Sequence, residues 1–271
     1  MTLVLRKSIE SIATVTAAVA SCYLGLLLGR TLWDAPQLLL ALFSNAEVSR
    51  LSIFGALPRI TVLPPPESSA FSFALFTAGQ FMFAGLAIAV GVAVVARFSG
   101  WGRVLLVFTI FWTALIAGSS LVTWSNSGGG TFGGFVRVAG IGSAATPAIP
   151  YTVAAIVATL LLAAITCVVR MLATNPEEPW NLRLARMMVW VLLPVALLTL
   201  SPVGLRANNM RDVGWLPILS ILVAMAAIVA ATFFSRQEEQ GFRLPWRGAL
   251  ITMALAGVVL TAALSYPDPL Y

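Results

Sequence analysis

Seven long apolar segments alternate with shorter polar segments along this chain. They are Ser11–Gly29, Phe71–Ala96, Val104–Trp124, Tyr151–Val169, Met187–Val203, Leu216–Ser235 and Gly248–Tyr266. A helix needs about 20 apolar residues to cross the hydrocarbon core of a bilayer. The segments also lack the two-residue alternation of membrane strands. The pattern predicts a single polytopic domain over residues 1–271, an all-α integral membrane protein of about seven transmembrane helices.

Composition agrees with a lipid environment. Only 10% of the residues are charged and 59% are hydrophobic, whereas a soluble domain carries about 25% charged residues. The polar surface is therefore too small to cover a globule in water, and the lipid bilayer is the expected solvent. The two cysteines, Cys22 and Cys167, lie inside apolar segments, which argues against a disulfide framework.

The basic residues indicate an orientation rather than a nucleic-acid partner. The net charge of +6 is dispersed in small groups at the ends of apolar segments, and nucleic-acid binding needs a clustered patch. With the N-terminus inside, ten basic residues fall on inner segments: Arg6, Lys7, Arg97, Arg103, Arg170, Arg183, Arg186, Arg236, Arg243 and Arg247. Six fall outside: Arg30, Arg50, Arg59, Arg137, Arg206 and Arg211. This bias predicts an N-in, C-out topology, and the preference for arginine over lysine suggests a bacterial cytoplasmic membrane.

Most tryptophans fall near the ends of the apolar segments. These are Trp33, Trp101, Trp124, Trp180, Trp215 and Trp246. An amphipathic indole ring is favoured at the membrane–water interface, so we expect these six there. Trp112 and Trp190 lie within segments and are expected to pack between helices.

Two outer segments share the pattern F-G-x-x-x-R-[IV], at residues 54–60 and at residues 132–138, with an offset of 78. The alternating residues 59–62 and 135–138 predict small β-ribbons in the two loops. One interpretation is a helix–ribbon–helix duplication over residues 11–96 and 104–174, followed by residues 183–271. The other is coincidence between two glycine-rich loops. The candidate partner-contact residues are Phe54, Gly55, Arg59, Phe132, Gly133 and Arg137.

The first apolar segment carries a stripe of small residues, Ala17, Ser21, Gly25 and Gly29, at four-residue spacing. Small residues allow two helix backbones to approach closely in lipid. The stripe is therefore a candidate helix-packing face, and its partner is either another helix of this chain or a second subunit.

Few polar residues lie deep in the predicted spans. Gln80 is the candidate intramembrane polar residue, and we expect it to make one interhelical hydrogen bond or to contact a substrate. The hydroxyl groups of Thr109, Thr113, Thr159 and Thr166 are expected to bond to carbonyls of their own helices.

The sequence predicts no catalytic, cofactor-binding or metal site. It contains no histidine, which excludes histidine-based acid–base catalysis and histidine metal ligands. It also has no P-loop motif. None of its ten acidic residues lies near the middle of a predicted span, although ion-coupled transporters usually keep such groups at depth.

Three classes of function remain. The first is a non-catalytic accessory, assembly or interaction subunit that associates with other membrane protein subunits. The second is a transporter or permease subunit for an apolar or neutral solute, in which Gln80 would line a cavity. The third is a membrane enzyme acting on a lipid-linked substrate, which needs acidic groups that converge at the interface. The absence of catalytic groups and the packing stripe favour the first class.

Overall fold

The computed structural model describes residues 2–44, 47–52, 59–63, 70–127, 132–133, 136–137, 148–172, 179–201, 216–233 and 246–265. These residues form seven long helices: α1 (Thr2–Ser44), α2 (Ala70–Val95), α3 (Gly100–Ser127), α4 (Ala148–Arg170), α5 (Trp180–Leu200), α6 (Leu216–Phe233) and α7 (Trp246–Ser265). Two strands, β1 (Glu47–Ser52) and β2 (Arg59–Leu63), lie between α1 and α2. The predicted count of seven helices is confirmed.

Length and composition allow five of the helices, α1 to α5, to cross a membrane. The described parts of α6 and α7 are shorter but also apolar. Large apolar side chains cover the exposed surface of the bundle, among them Leu86, Leu160 and Val258. Such a surface is stable against acyl chains and unstable against water. These helices indicate an integral, multi-pass membrane protein.

Helix α3 occupies the centre of the bundle. In its apolar stretch 78% of the residues are buried within the protein, against 17% in α4. Phe108, Phe111 and Trp112 on α3 are among the largest fully buried side chains. Helices α1, α2 and α4 pack around α3, while α5 and α7 pack against α1, and α6 packs against α4 and α5. The burial of Trp112 agrees with its predicted position between helices.

Glycines set the distance between α1 and α3. A Cβ atom placed on Gly25 would lie 2.6 Å from Cβ of Phe108, and one placed on Gly29 would lie 2.9 Å from the backbone nitrogen of Thr113. Neither position has room for a methyl group, so the two backbones approach closely here. Ala17 and Ser21 continue the same stripe and are also buried. At its glycines, the stripe therefore packs inside the chain, against α3.

Helix α1 is much longer than the predicted segment Ser11–Gly29, since it continues without interruption to Ser44. The charged residues Arg30 and Asp34 suggested an outer loop, but they lie one helical turn apart and form an ion pair on the helix. Trp33, which was expected near an interface, is buried in the bundle. The mutual neutralisation of the two charges explains why the helix does not end at Gly29.

Strands β1 and β2 pair antiparallel, from Ser52 opposite Arg59 to Glu47 opposite Leu63. The register shifts between Val48 and Arg50, which indicates a β-bulge. Strand β2 packs beside α1, which leads into β1. We call this two-stranded sheet the ribbon, and the end of the bundle where it lies the ribbon end.

In the second of the two loops, after α3, the described residues do not form strands. Its described residues, 132–133 and 136–137, have helical backbone, so the strand predicted over residues 135–138 is wrong at Val136 and Arg137. The glycines beside these residues permit turns as readily as extended structure, and the short alternation was too weak a signal to decide. The loop resemblance therefore does not support the duplication, and the division into repeats stays a prediction.

Helix α5 widens in its middle. Residues Met188–Leu192 form a π-helical segment between two α-helical segments, and the backbone N–H of Leu193 donates to the carbonyl of Met188, five residues earlier. Pro194 follows directly. Proline has no N–H and its ring crowds the carbonyl four residues before it. A wider π turn relieves that crowding within an otherwise continuous helix.

Backbone carbonyls satisfy most hydroxyl groups inside the bundle. Thr109 donates to the carbonyl of Leu105 at 2.9 Å, and Thr113 donates to that of Thr109 at 2.7 Å. Thr159 on α4 makes the same type of bond. These three predictions are confirmed. Both cysteines are free thiols.

Candidate functional site

Polar residues are concentrated between α1 and α2 near the ribbon end. The α1–α2 polar cluster consists of Arg30, Trp33 and Asp34 on α1 and Gln80 on α2. Gln80 is 0% exposed, and the side chain of Asp34 is 1% exposed. Polar groups at such depth destabilise a membrane protein unless other polar groups satisfy them. This cluster is therefore the best candidate in the described structure for a functional or organising site.

The ion pair forms the charged part of the cluster. Nε of Arg30 donates a hydrogen bond of 2.9 Å to a carboxylate oxygen of Asp34. The arginine side chain is 15% exposed, so its guanidinium reaches toward the edge of the bundle while the carboxylate stays inside. In a low-dielectric interior the attraction between the two charges offsets the cost of burying them, and removal of Arg30 takes that attraction away from a buried carboxylate.

Gln80 links α2 to the backbone of α1. Its Nε2 donates to the carbonyl oxygen of Trp33 at 3.3 Å, which is the interhelical hydrogen bond that the sequence predicts. Pro36 lies three residues further along α1. Because Pro36 has no N–H, the carbonyl four residues earlier, that of Leu32, loses its intrahelical donor. In membrane helices, polar side chains of neighbouring helices support the backbone next to such a proline.

The other amide atom of Gln80 is not satisfied. Its Oε1 is buried and has no hydrogen-bond partner in the described part of the chain. A buried acceptor without a donor destabilises a protein by about 1–3 kcal/mol. The atom therefore lowers the stability of the bundle, and any small hydrogen-bond donor that reached it would be stabilised.

Aromatic rings extend the cluster toward the second outer loop. The rings of Trp33 and Phe81 meet edge to face at a centroid distance of 5.1 Å, and those of Phe81 and Phe132 at 5.9 Å. The backbone N–H of Phe132 donates to Oγ of Ser120 on α3 at 2.9 Å. Edge-to-face pairs add about 0.5–1.5 kcal/mol each to the burial of the rings. One continuous set of contacts thus joins α1, α2, α3 and the loop after α3.

The predicted partner-contact residues have different environments. Phe54 and Gly55 lie outside the described residues, and Arg59 is the first residue of β2. Arg137 is exposed, whereas Phe132 and Gly133 are buried. The ring of Phe132 packs against Phe81 and the adjoining core, and a partner contact through these residues stays a prediction.

Sequence reasoning found Gln80 and missed its neighbours. Arg30, Trp33 and Asp34 were assigned to a loop and an interface because charged residues usually end an apolar segment. The i, i+4 spacing of Arg30 and Asp34, together with the apolar residues that follow Asp34, was the available signal for a longer helix.

The cluster has hydrogen-bonding and electrostatic groups but no ligand set for a metal. No group of three or more His, Cys, Asp or Glu that could hold a metal ion occurs among the residues that the structure describes. The arrangement can fix the relative position of α1 and α2 and can offer Oε1 of Gln80 to a donor. No known protein family, curated protein or solved structure matches this chain, so its function has to be inferred from the fold and the cluster themselves.

Proposed function

We propose that this chain is a non-catalytic subunit of a membrane protein complex in a bacterial cytoplasmic membrane, and that the ribbon is its main contact with the partner. The observation that carries the proposal is the attachment of the ribbon to α1. Helix α1 ends at Ser44, β1 begins at Glu47, and β2 packs beside α1. The ribbon thus has its base on α1, which packs closely against α3.

The α1–α2 polar cluster supports this base. The ion pair, the bond from Gln80 to Trp33 and the aromatic contacts all lie on the part of α1 that leads into the ribbon. A surface held rigid before binding loses less conformational entropy when a partner docks. The cluster therefore fits a role in presenting a contact surface.

The ribbon itself has the form of an interaction module. The described residues give it two strands, and two strands alone have outer edges whose backbone groups can pair with another chain. Strand addition to such an edge is a common mode of protein recognition. The arginine distribution supports an outer position for the ribbon, so we expect an outer segment of a neighbouring membrane protein to bind there.

Site-specific photo-crosslinking in native membranes tests the proposal. A photoreactive residue at Ser52 or Arg59, which form the last pair in the register of the ribbon, should crosslink to one membrane protein in defined stoichiometry. Leu160 on α4 is the matched control, since its exposed apolar side chain faces outward from the bundle. We expect the control position to label lipid.

The crosslink has to be specific to the ribbon. Deletion of residues 47–63 should abolish co-purification of the same partner while leaving a monodisperse protein. A partner that is retained after this deletion, or identical crosslinks from Leu160 and Ser52, would contradict the proposal.

Helix α5 favours a second candidate, a transporter subunit for a small neutral solute. Its π-helical segment and Pro194 lie where Trp190 contacts Trp101 of α3, at a centroid distance of 6.1 Å. Interruptions of this kind often occur at moving parts of membrane proteins. Solute-dependent protection of a cysteine introduced at Trp190 would favour transport, and its absence over a panel of neutral solutes would favour the interaction role.

A further inference from the structure

The bundle end opposite the ribbon carries the described arginine side chains of the α2–α3 and α4–α5 connections. Helices α2 and α4 end there, and α3 and α5 begin there. The arginines are Arg97, Arg103, Arg170, Arg183 and Arg186. We call this the arginine end. The contact between Trp101 near the start of α3 and Trp190 in α5 ties these helices together close to it.

Arg103 has an internal role at this end. Its Nε donates to the carbonyl of Phe98 at 2.8 Å, and its Nη2 donates to that of Ala96 at 3.3 Å. These carbonyls follow the last turn of α2, where helices leave acceptors without intrahelical donors. Arg103 therefore caps α2 and is not part of the surface considered below.

Arg170 is the last residue of α4 and lies at the rim of the apolar core. Its neighbours Val168, Val169 and Leu172 are all buried. Its Nε is buried and has no hydrogen-bond partner in the described structure. A guanidinium donor in this position is stabilised by an acceptor that can itself sit at the edge of the hydrocarbon, where water is scarce.

The first two turns of α5 carry two more arginines next to exposed apolar side chains. Arg183 and Arg186 are three residues apart and therefore share a face of the helix. Trp180 is 62% exposed and Leu182 is 52% exposed. Arginines together with exposed tryptophan and leucine are typical of a helix segment embedded at the headgroup level of a membrane.

Helix α6 lies next to both of the helices that carry these arginines. It packs against α4 and against the first turns of α5. Close to the end of α6, Oγ1 of Thr232 lies 3.7 Å from the sulfur of Met187, one residue after Arg186. The end of α4 and the beginning of α5 thus flank the end of α6.

We propose that Arg170, Arg183 and Arg186 bind the phosphate of an anionic phospholipid at the arginine end. Guanidinium groups bind phosphate oxygens through charge-assisted hydrogen bonds, often in pairs. The lipid is favoured over a free anion because the arginines border the exposed apolar faces of α4 and α5, including Leu162 and Val189, along which acyl chains can lie. A single phospholipid then supplies both a phosphate for the arginines and acyl chains for the apolar faces.

Thermal unfolding of the purified full chain in a mild detergent tests this site. Phosphatidylglycerol and phosphatidylcholine with identical acyl chains are titrated in parallel. We expect phosphatidylglycerol to raise the unfolding temperature at lower concentration. The Arg170→Gln variant should weaken the apparent phosphatidylglycerol affinity by roughly fivefold, and the Arg183→Gln/Arg186→Gln variant by more, since each arginine near an anionic surface contributes about 1 kcal/mol.

Controls separate this site from general charge effects. Arg97→Gln removes an exposed arginine at the same end and should leave the affinity within about twofold, because Arg97 is not among the three binding arginines. Inorganic phosphate alone should give no stabilisation. Equal stabilisation by the two lipids, an equal effect of phosphate, or an equal loss in Arg97→Gln overturns the proposal. If Arg170→Gln does not fold, native mass spectrometry of the unchanged protein with the two lipids decides.

Discussion

Gln80 on α2 donates a hydrogen bond of 3.3 Å to the carbonyl of Trp33 on α1, three residues before Pro36. The bond joins two helices at the place where a proline removes one of the backbone bonds of α1. It also orients the amide so that Oε1 faces a region without a donor among the described residues. A single side chain therefore both stabilises the helix pair and leaves an unsatisfied acceptor.

The first prediction concerns the charge tolerance of this position. Gln80→Glu places a carboxylate beside the carbonyl of Trp33, the residue before Asp34, so an acceptor faces an acceptor at full burial. We expect a loss of several kcal/mol in unfolding free energy at neutral pH, on the order of 3 kcal/mol. Gln80→Met is the matched control and should be close to neutral, because it removes both the donor bond and the unsatisfied acceptor. Thermal unfolding in detergent measures both, and equal stability of the two variants would contradict this account.

The second prediction concerns the close approach of α1 and α3. Gly25→Ala and Gly29→Ala each introduce a methyl group 3 Å or less from Phe108 and from the Thr113 backbone, respectively. Each should destabilise the protein by about 1–3 kcal/mol, as overpacking does.

Gly85 on α2 offers a matched control, because a Cβ placed there meets no atom within 4 Å. Gly85→Ala should be neutral or slightly stabilising, since alanine is favoured over glycine in a helix by about 1 kcal/mol. Unfolding midpoints of the three variants give the comparison. If Gly25→Ala and Gly85→Ala proved equally stable, the packing of α1 on α3 described above would be wrong.

The third prediction concerns the buried ion pair. Arg30→Met leaves the Asp34 carboxylate inside the bundle without its arginine, which should cost about 3 kcal/mol or more. The double variant Arg30→Met/Asp34→Leu removes both charges and should recover most of that loss. Arg137→Met, at an exposed arginine, should change stability by less than about 0.5 kcal/mol. If the double variant were less stable than Arg30→Met, the Asp34 carboxylate would stabilise the protein by itself, and the prediction would be wrong.

The fourth prediction concerns orientation. In a background lacking Cys22 and Cys167, a cysteine at Phe98, which follows α2 and is exposed, should react only with membrane-permeant reagents in intact cells. A cysteine at Gly129, after α3, should react with impermeant reagents. This pattern follows from the distribution of arginines. The reverse pattern would place the ribbon inside the cell and remove the outer partner proposed for it.

The number of helices and most of their boundaries could be predicted because apolar length is a strong signal in lipid. The end of α1 could not, since Arg30 and Asp34 resemble a loop until their mutual contact is known. The backbone conformation of the described residues after α3 depends on tertiary contacts as well. Phe132 is buried because Phe81 of α2 and Ser120 of α3 lie where its ring and its N–H need partners. No local pattern around residue 132 contains that information.

Helix α1 has 43 residues, which at 1.5 Å per residue makes a rod of about 64 Å. The hydrocarbon core is only about 30 Å thick, so the rod is about twice as long as a perpendicular crossing requires. A tilt of about 10° displaces one end of such a rod by roughly 11 Å relative to the other. The bond from Gln80 to the Trp33 carbonyl ties this rod to α2 three residues before Pro36. Because α1 is one continuous helix up to the residues that precede β1, a displacement of the ribbon is passed along the whole length of α1.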